Sequence, residues 1–312
     1  MNSSKIPHPV LKPIAKGVYA WIGVNGDSNA GAIEDTSGLV AIDAQQSEAQ
    51  GRQFRAAVEK ETGLPVVKLI NTHFHLDHTA GNVAFEDVPI LAQTKTRELM
   101  NEYLNTEDAI RWNVTDPDQR LRLFFGFNFN ELVPAGDPLY DWFLTRVQRP
   151  GLEKLELVAP NELFNRHISM KSNAGIVHCN YVGPAHCDGD IVVHVPGAKA
   201  AFFGDLLFVG RFPWLGVWDL DRWIECLNRL ERLDLVSVVP GHGDVCTLKE
   251  VAEFRTLLVQ LRASVHSHVR SGASEEAAVK QVSLPEYEHL PRDRKSTRLN
   301  SSHIPLSRMP SS

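Results

Sequence analysis

Apolar and polar positions alternate along this chain in two rhythms, and the rhythm switches from element to element. Short apolar runs bounded by Gly, Asp and Ser predict strands at residues 17–23, 30–33 and 38–44, the last entered through the turn Asp35-Thr36-Ser37-Gly38. Residues 47–62 instead carry a helical spacing, with Ser47 as N-cap, Phe54, Ala57 and Val58 on one face and Gly63 closing the end. An apolar strand follows at 65–71, a helix beginning at 79–85, a strand at 89–92 and a helix at 94–104. Strands resume at 175–182, 190–196 and 200–204, and 236–239 is another. Helices are predicted over 221–235, capped by Asp221, over Leu248–Arg270, and over 275–282. Such alternation implies layered α/β packing.

Residues 105–163 break the rhythm. Trp112, Phe124, Phe125, Phe127, Phe129, Tyr140, Trp142 and Phe143 fall there among arginines and prolines, which suits a substrate lid, a dimer contact or a local hydrophobic cluster. A single domain with this aromatic-rich segment as an insertion is the expected organisation of residues 1–292. At the other end, 293–303 reads D-R-K-S-T-R-L-N-S-S-H, which back-translates codon for codon to a common short-read sequencing adapter. Residues 293–312 are therefore set aside as a disordered assembly scar, with the natural sequence expected to be truncated near Arg292.

Composition narrows the class. With 312 residues, 43% hydrophobic and 22% charged, the chain can bury a large core. A net charge of −6, with Lys and Arg scattered, argues against a nucleic-acid surface. No apolar run approaches the ~20 residues of a membrane span, and the start carries no secretory h-region, so a cytoplasmic location is expected. The four cysteines show no framework spacing and read as small buried thiols, with Cys187 set apart because it follows a histidine of interest.

The candidate chemistry is concentrated in T-H-F-H-L-D-H-T-A-G-N at 72–82. His73, His75, Asp77 and His78 crowd four metal-binding groups into six residues. They cannot share one helix face, because positions two apart diverge by about 200°. A strand running into a loop fits, with His73 and His75 on one side and the turn bringing Asp77 and His78 round. Imidazoles with a carboxylate suit zinc and, less selectively, iron or manganese.

Three more metal-capable residues each follow a short strand: His186 in G-P-A-H, Asp205 in F-F-G-D and His242 in P-G-H-G, flanked by glycines that permit tight turns. Loops at strand ends converge on one sheet edge in α/β architectures. Asp188 and Asp190 read as solvated loop carboxylates, and the remaining histidines, His167, His178 and His194 among them, as surface or satisfied core residues.

In this order, H-x-H-x-D-H, G-P-A-H, F-F-G-D and P-G-H-G resemble the metallo-β-lactamase superfamily over about residues 17–270. The resemblance implies a four-layer αββα sandwich with a dinuclear metal site, two Zn2+ per chain, at one edge. It assigns His73, His75 and His186 to the first metal, Asp77, His78 and His242 to the second, and Asp205 to the carboxylate between them. Asp43 matches an early Asp that supports the histidine loop, as expected for imidazoles whose other N–H needs an anchor. Asp77 is the catalytic candidate, binding metal and orienting a metal-bridging hydroxide formed near neutral pH.

Asp205 stands where the familiar β-lactamases carry Cys or Ser. That favours the hydrolases similar to glyoxalase II, with a small thioester, lactone or related carbonyl substrate. Cys187 stands where a Thr is frequent and donates a weaker hydrogen bond. A mononuclear iron oxidoreductase similar to sulfur dioxygenases, or a true β-lactamase, is the alternative. Neither nucleic acid nor membrane is an expected partner, and a homodimer is possible through the aromatic segment.

Overall fold

The computed structural model describes residues 8–24, 26–103, 156–215, 219–272, 282–287 and 289–290. Most of the aromatic segment, the predicted helix at 275–282 apart from Val282, and the 293–312 tail lie outside them. Two sheets face each other. The first runs β1 (Val10–Ala15), β2 (Val18–Ile22), β3 (Ala30–Glu34), β4 (Leu39–Ile42), β5 (Val66–Ile70), β6 (Ile90–Gln93), β7 (Glu162–Phe164), antiparallel through β4 and parallel beyond. The second contains β8 (His167–Ser172), β9 (Gly175–Tyr181), β10 (Ile191–Val195), β11 (Ala200–Phe208) and β12 (Ser237–His242). They lie in that spatial order, antiparallel except for the parallel β11–β12 pair.

Five α-helices are described: α1 (Glu48–Thr62), α2 (Leu76–Thr79), α3 (Thr94–Tyr103), α4 (Leu220–Leu230) and α5 (Leu248–Arg270). Three buried clusters show how the layers stack. Between the sheets lie Val18, Ile33, Val40, Ile42 and Ile70 from the first and Val177, Val193, Phe202 and Val239 from the second. Behind the first sheet, Phe54 and Val58 of α1 pack with Leu39, Leu69 and Phe85. Behind the second, Trp223 and Leu227 of α4 and Phe254, Leu257 and Leu258 of α5 pack on Phe203 and Val238. Each such side chain contributes about 1.5–3 kcal/mol by leaving water. The order helix, sheet, sheet, helix is the expected αββα sandwich.

Local signals explain most elements. Ser47 caps α1 by accepting from the Gln50 N–H, and Gly63 ends it at φ 71°, a left-handed turn that glycine adopts without Cβ strain. Thr247 and Glu250 form a reciprocal capping box at the start of α5. β4 is buried along its whole length, as a strand between two covered faces must be.

Several expectations need correction. β1 and β7 carried no apolar alternation strong enough to predict them; they are edge strands. The helix expected at 79–85 is the short α2 followed by a 3₁₀ turn at Ala80–Phe85. The cause is Gly81, whose N–H bonds the Gln45 carbonyl and whose Cα packs so tightly on the Ala44 carbonyl that a Cβ would collide with it. α4 is capped by Asp219, not Asp221, and ends at Leu230. β11 runs on through Asp205 to Phe208, so Asp205 lies within a strand at a register break and not at its end. Among the described residues, no helix is long and apolar enough to cross a membrane.

Candidate metal centre

All seven sequence-predicted ligand residues meet at one edge of the sandwich. β5 delivers the chain to a bend holding His73; His75 sits at the N-cap of α2, and Asp77 and His78 lie within α2. The cluster is therefore a loop entering a helical turn, not a strand entering a loop. From the second sheet come His186 in the β9–β10 connection, Asp205 in β11 and His242 at the last position of β12.

The side chains separate into two groups that could each hold a metal ion: His73, His75, His186 and Asp205, and Asp77, His78, Asp205 and His242. Within each group the ligand atoms all lie within 4.8 Å of one another. Asp205 belongs to both and divides its oxygens between them. Oδ2 is 3.4 Å from His186 Nε2 and 3.9 Å from His73 Nε2, whereas Oδ1 is 3.0 Å from His78 Nε2 and 3.4 Å from His242 Nε2. His75 Nδ1 faces His186 Nε2 at 3.0 Å, and Asp77 Oδ2 lies 3.1 Å from His242 Nε2.

Hydrogen bonds fix which nitrogen each ring presents. Asp43, buried and held at φ 57°, accepts from the Thr72 N–H at 2.7 Å, the Thr72 hydroxyl at 2.8 Å and His78 Nδ1 at 2.9 Å. With its proton committed to Asp43, Thr72 Oγ1 accepts from His73 Nδ1 at 3.1 Å. His242 Nδ1 donates to the Gly26 carbonyl at 3.1 Å. His73, His78 and His242 therefore all turn Nε2, not Nδ1, to the centre. His73 Nε2, His78 Nε2 and Asp205 Oδ1 are fully buried with no hydrogen-bond partner, although the two latter atoms are close. His73 Nε2 faces the first group, and His78 Nε2 and Asp205 Oδ1 face the second. Buried polar atoms left so are costly, and a cation in each group would remove the cost, so the donor set fits divalent metal.

Electrostatics divide the two groups. Burial, reinforced by His78, pushes His73 well below the usual imidazole range; burial lowers His75 and takes His186 to about 3. Burial acts the same way on His78 and His242, but the carboxylates, Asp205 above all, outweigh it and raise both. In return His78 and His242 hold Asp77 and Asp205 ionised far below their ordinary values, against the opposing effect of burial.

Several positioning residues went unseen in the sequence. Asn29 is buried; its Nδ2 donates to the Pro240 and Gly243 carbonyls, each at 2.8 Å, and its own N–H bonds the Gly241 carbonyl at 2.7 Å. The loop carrying His242 is thus pinned to the first sheet on both sides. The Ser28 hydroxyl donates to the Asp77 carbonyl. Gly241 is required here, since a Cβ would strike Asp205 Oδ1. No local signal marks Asn29, whose partners lie 211 and 214 positions away.

Asp190 is a correction: it is buried, not solvated, and accepts from the Cys187 N–H at 2.8 Å and the Cys187 thiol at 2.9 Å. It thereby fastens the residue after His186, and Cys187 fills the expected Thr position as a donor. Burial raises Asp190 to about 7. Asp188 is half-buried and accepts from the Tyr181 hydroxyl. All four cysteines are buried and free. His186 is oriented by packing: its ring meets Trp223 and Phe208 edge-on, at 5.3 and 5.8 Å.

The family model of the metallo-beta-lactamase superfamily matches residues 23–159 and 176–242. The chain belongs to that superfamily. It is 22% identical over 270 residues to a linear primary-alkylsulfatase of Pseudomonas sp., an alignment covering 81% of this chain and 49% of the relative. The chain thus spans about half the length of that protein. A metallo-beta-lactamase from Pontibacter korlensis superposes with a TM-score of 0.59 at 17% identity, covering 80% of this chain and 99% of the other. A stereoselective inverting sec-alkylsulfatase from Pseudomonas sp. gives 0.65 at 18% identity, covering 95% of this chain and 50% of the other. At these identities the solved structures establish the shared fold.

Proposed function

We propose that the chain is a dinuclear zinc hydrolase that cleaves an ester-type bond in a small molecule: a thioester, a lactone or, as the names of its alkylsulfatase relatives suggest, a sulfate ester. The observation that carries this reading is Asp205, whose two oxygens face two separate nitrogen-rich groups. His73, His75 and His186 with Asp205 Oδ2 would hold one cation, and Asp77, His78 and His242 with Asp205 Oδ1 the other. Imidazole with carboxylate suits zinc. A bound pair would supply Lewis acidity and an acidified water, lowered from 15.7 to roughly 7.

The chain's own residues do the rest. Asp77, kept ionised by His78 and His242, is a hydrogen-bond acceptor able to orient an attacking water. Its side chain and His75 are the less buried members of the set, so substrate enters from their side. Phe208, stacked on His242 at 5.2 Å, and Trp223 close the inner wall against water. The net charge of −6 supports a small-molecule substrate over nucleic acid.

Metal analysis of the purified protein, followed by a panel of thioesters, lactones, alkyl sulfates and a β-lactam, tests this. Two zinc ions per chain and turnover of at least one ester class are expected. One iron per chain with oxygen uptake, or zinc-loaded protein inert to the whole panel, overturns it.

A further inference from the structure

Away from the metal centre, three histidines gather on the outer face of the second sheet. The register sets His167 opposite Asn180, Ser169 opposite His178, and His178 opposite His194. Their neighbours Val177, Cys179, Val193 and Val195 fill the space between the sheets. Strand side chains alternate, so His167, Ser169, His178, Asn180 and His194 share the opposite face. His167 and Ser169 are exposed, and His178, Asn180 and His194 half-buried. Ring centroids are 5.4 Å apart for His167–His178 and 6.4 Å for His178–His194.

A single hydrogen-bond chain orders the group. His167 Nδ1 lies 2.9 Å from Asn180 Oδ1, an acceptor, so the His167 proton sits there and Nε2 is bare. The Ser169 hydroxyl, 2.7 Å away, donates to that Nε2 and accepts from His178 Nδ1 at 2.8 Å. One hydroxyl therefore occupies the point between two imidazole nitrogens, with a third imidazole directly across the next strand. An ion seated at the hydroxyl's position would draw these two nitrogens in from 2.7 and 2.8 Å to the ~2.0–2.1 Å bonds a zinc-like ion makes to imidazole.

We propose that this face is a second, separate transition-metal site, in which His167 Nε2 and His178 Nδ1 bind one ion of the copper, nickel and zinc group in place of the Ser169 hydroxyl, with His194 as the adjoining third ligand. Binding moves the His178 proton from Nδ1 to Nε2 and turns the Ser169 hydroxyl away; both imidazoles stay neutral. Among such ions Cu2+ binds nitrogen donors tightest, which makes it the probe of choice.

The test uses the full chain loaded with zinc, freed of excess metal and titrated with Cu2+ under electron paramagnetic resonance, with released zinc measured in parallel. Wild type is expected to take up one Cu2+ equivalent with imidazole nitrogen hyperfine structure and without losing zinc. His178→Ala is expected to bind that equivalent at least ~10-fold more weakly, as loss of a ligand or its anchor does. Ser169→Ala keeps every imidazole and removes the competing hydroxyl, so it should bind as tightly as wild type or tighter. Copper uptake matched one-for-one by zinc release, unchanged binding in His178→Ala, or equal loss in both variants overturns the proposal. These positions lie outside the packed core, and unaltered circular dichroism confirms that the variants fold.

Discussion

The two halves of the metal centre share Asp205, yet the protein holds them by different means. In the half containing Asp77, His78 and His242, every imidazole is anchored by a hydrogen bond to a fixed acceptor: His78 to Asp43 and His242 to the Gly26 carbonyl. The loop beneath His242 is tied further by Asn29. In the half containing His73, His75 and His186, only His73 has such an anchor among the described residues, through Thr72, and His186 leans on the rings of Trp223 and Phe208. The electrostatics differ too, with burial lowering the imidazole pKa values in one half and the carboxylates raising them in the other. Directional bonds set an atom's position more sharply than ring packing does. The half that carries the catalytic candidate Asp77 is the one so fixed.

Substitutions can break this contrast. Asp205→Asn removes the charge shared by both halves; metal content should collapse, and kcat/KM should fall by about 10³-fold or more, since bound metal is worth several kcal/mol at 1.36 kcal/mol per tenfold. Asn29→Ala should act on one half only, weakening the second ion by ~10–100-fold while the first stays bound, as zinc competition with a chromophoric chelator would show. Asp43→Asn, which touches His78 directly and His73 through Thr72, should weaken both. Asn29→Ala also leaves two carbonyls short of a donor, at about 1–3 kcal/mol of stability. Equal loss of both ions in Asn29→Ala would mean the halves are not independently supported.

Acid offers a finer probe. In metal-free protein the raised pKa of His78 keeps a proton on the ring at neutral pH; the stability this gives is complete below its unfolded pKa and lost as pH rises through the folded one. Metal must expel that proton, so affinity of the second half should fall about tenfold per pH unit of acidification. The first half, with imidazoles lowered by burial, should show no slope in the same neutral range. Competition titrations between about pH 6 and 8 check both slopes. Smallest is Trp223→Phe, which loses the indole bond to the Leu206 carbonyl at 2.9 Å. It should cost about 1 kcal/mol of stability and only severalfold in first-ion affinity, read by thermal melts and zinc binding. A larger effect than Asp43→Asn would reverse the comparison.

How much of this was legible beforehand depended on whether the cause was local. The strands of the inter-sheet core and the helices α1 and α5 announce themselves through periodicity and caps within a few residues. So do the candidate ligands, because His73 to His78 are neighbours, His186 follows an apolar run through Gly183-Pro184 and His242 follows one through Pro240-Gly241. Edge strands β1 and β7 gave little, since a strand with few buried side chains shows no clean alternation. Asp219 and Asp221 are both good caps, and only the onset of helical dihedrals in the fold distinguishes them. Asn29 and Asp190 were invisible for a deeper reason: whether a short polar side chain is solvated or buried is decided by segments brought in from elsewhere. The 3₁₀ turn after α2 likewise depends on the close approach of Gly81 to Ala44, a contact no helical pattern encodes.

The split ligand set gives the fold a seam. His73, His75, Asp77 and His78 hang from the first sheet, whereas His186, Asp205 and His242 hang from the second. Either ion alone would be bonded to both sheets, so each is a rivet through the sandwich, and the pair is redundant. An open edge of a two-sheet protein is ordinarily where the layers part first under thermal motion. Here that edge is the one bound metal would clamp, so the breathing of the two sheets would depend on the occupant of the site as well as on the apolar contacts between them.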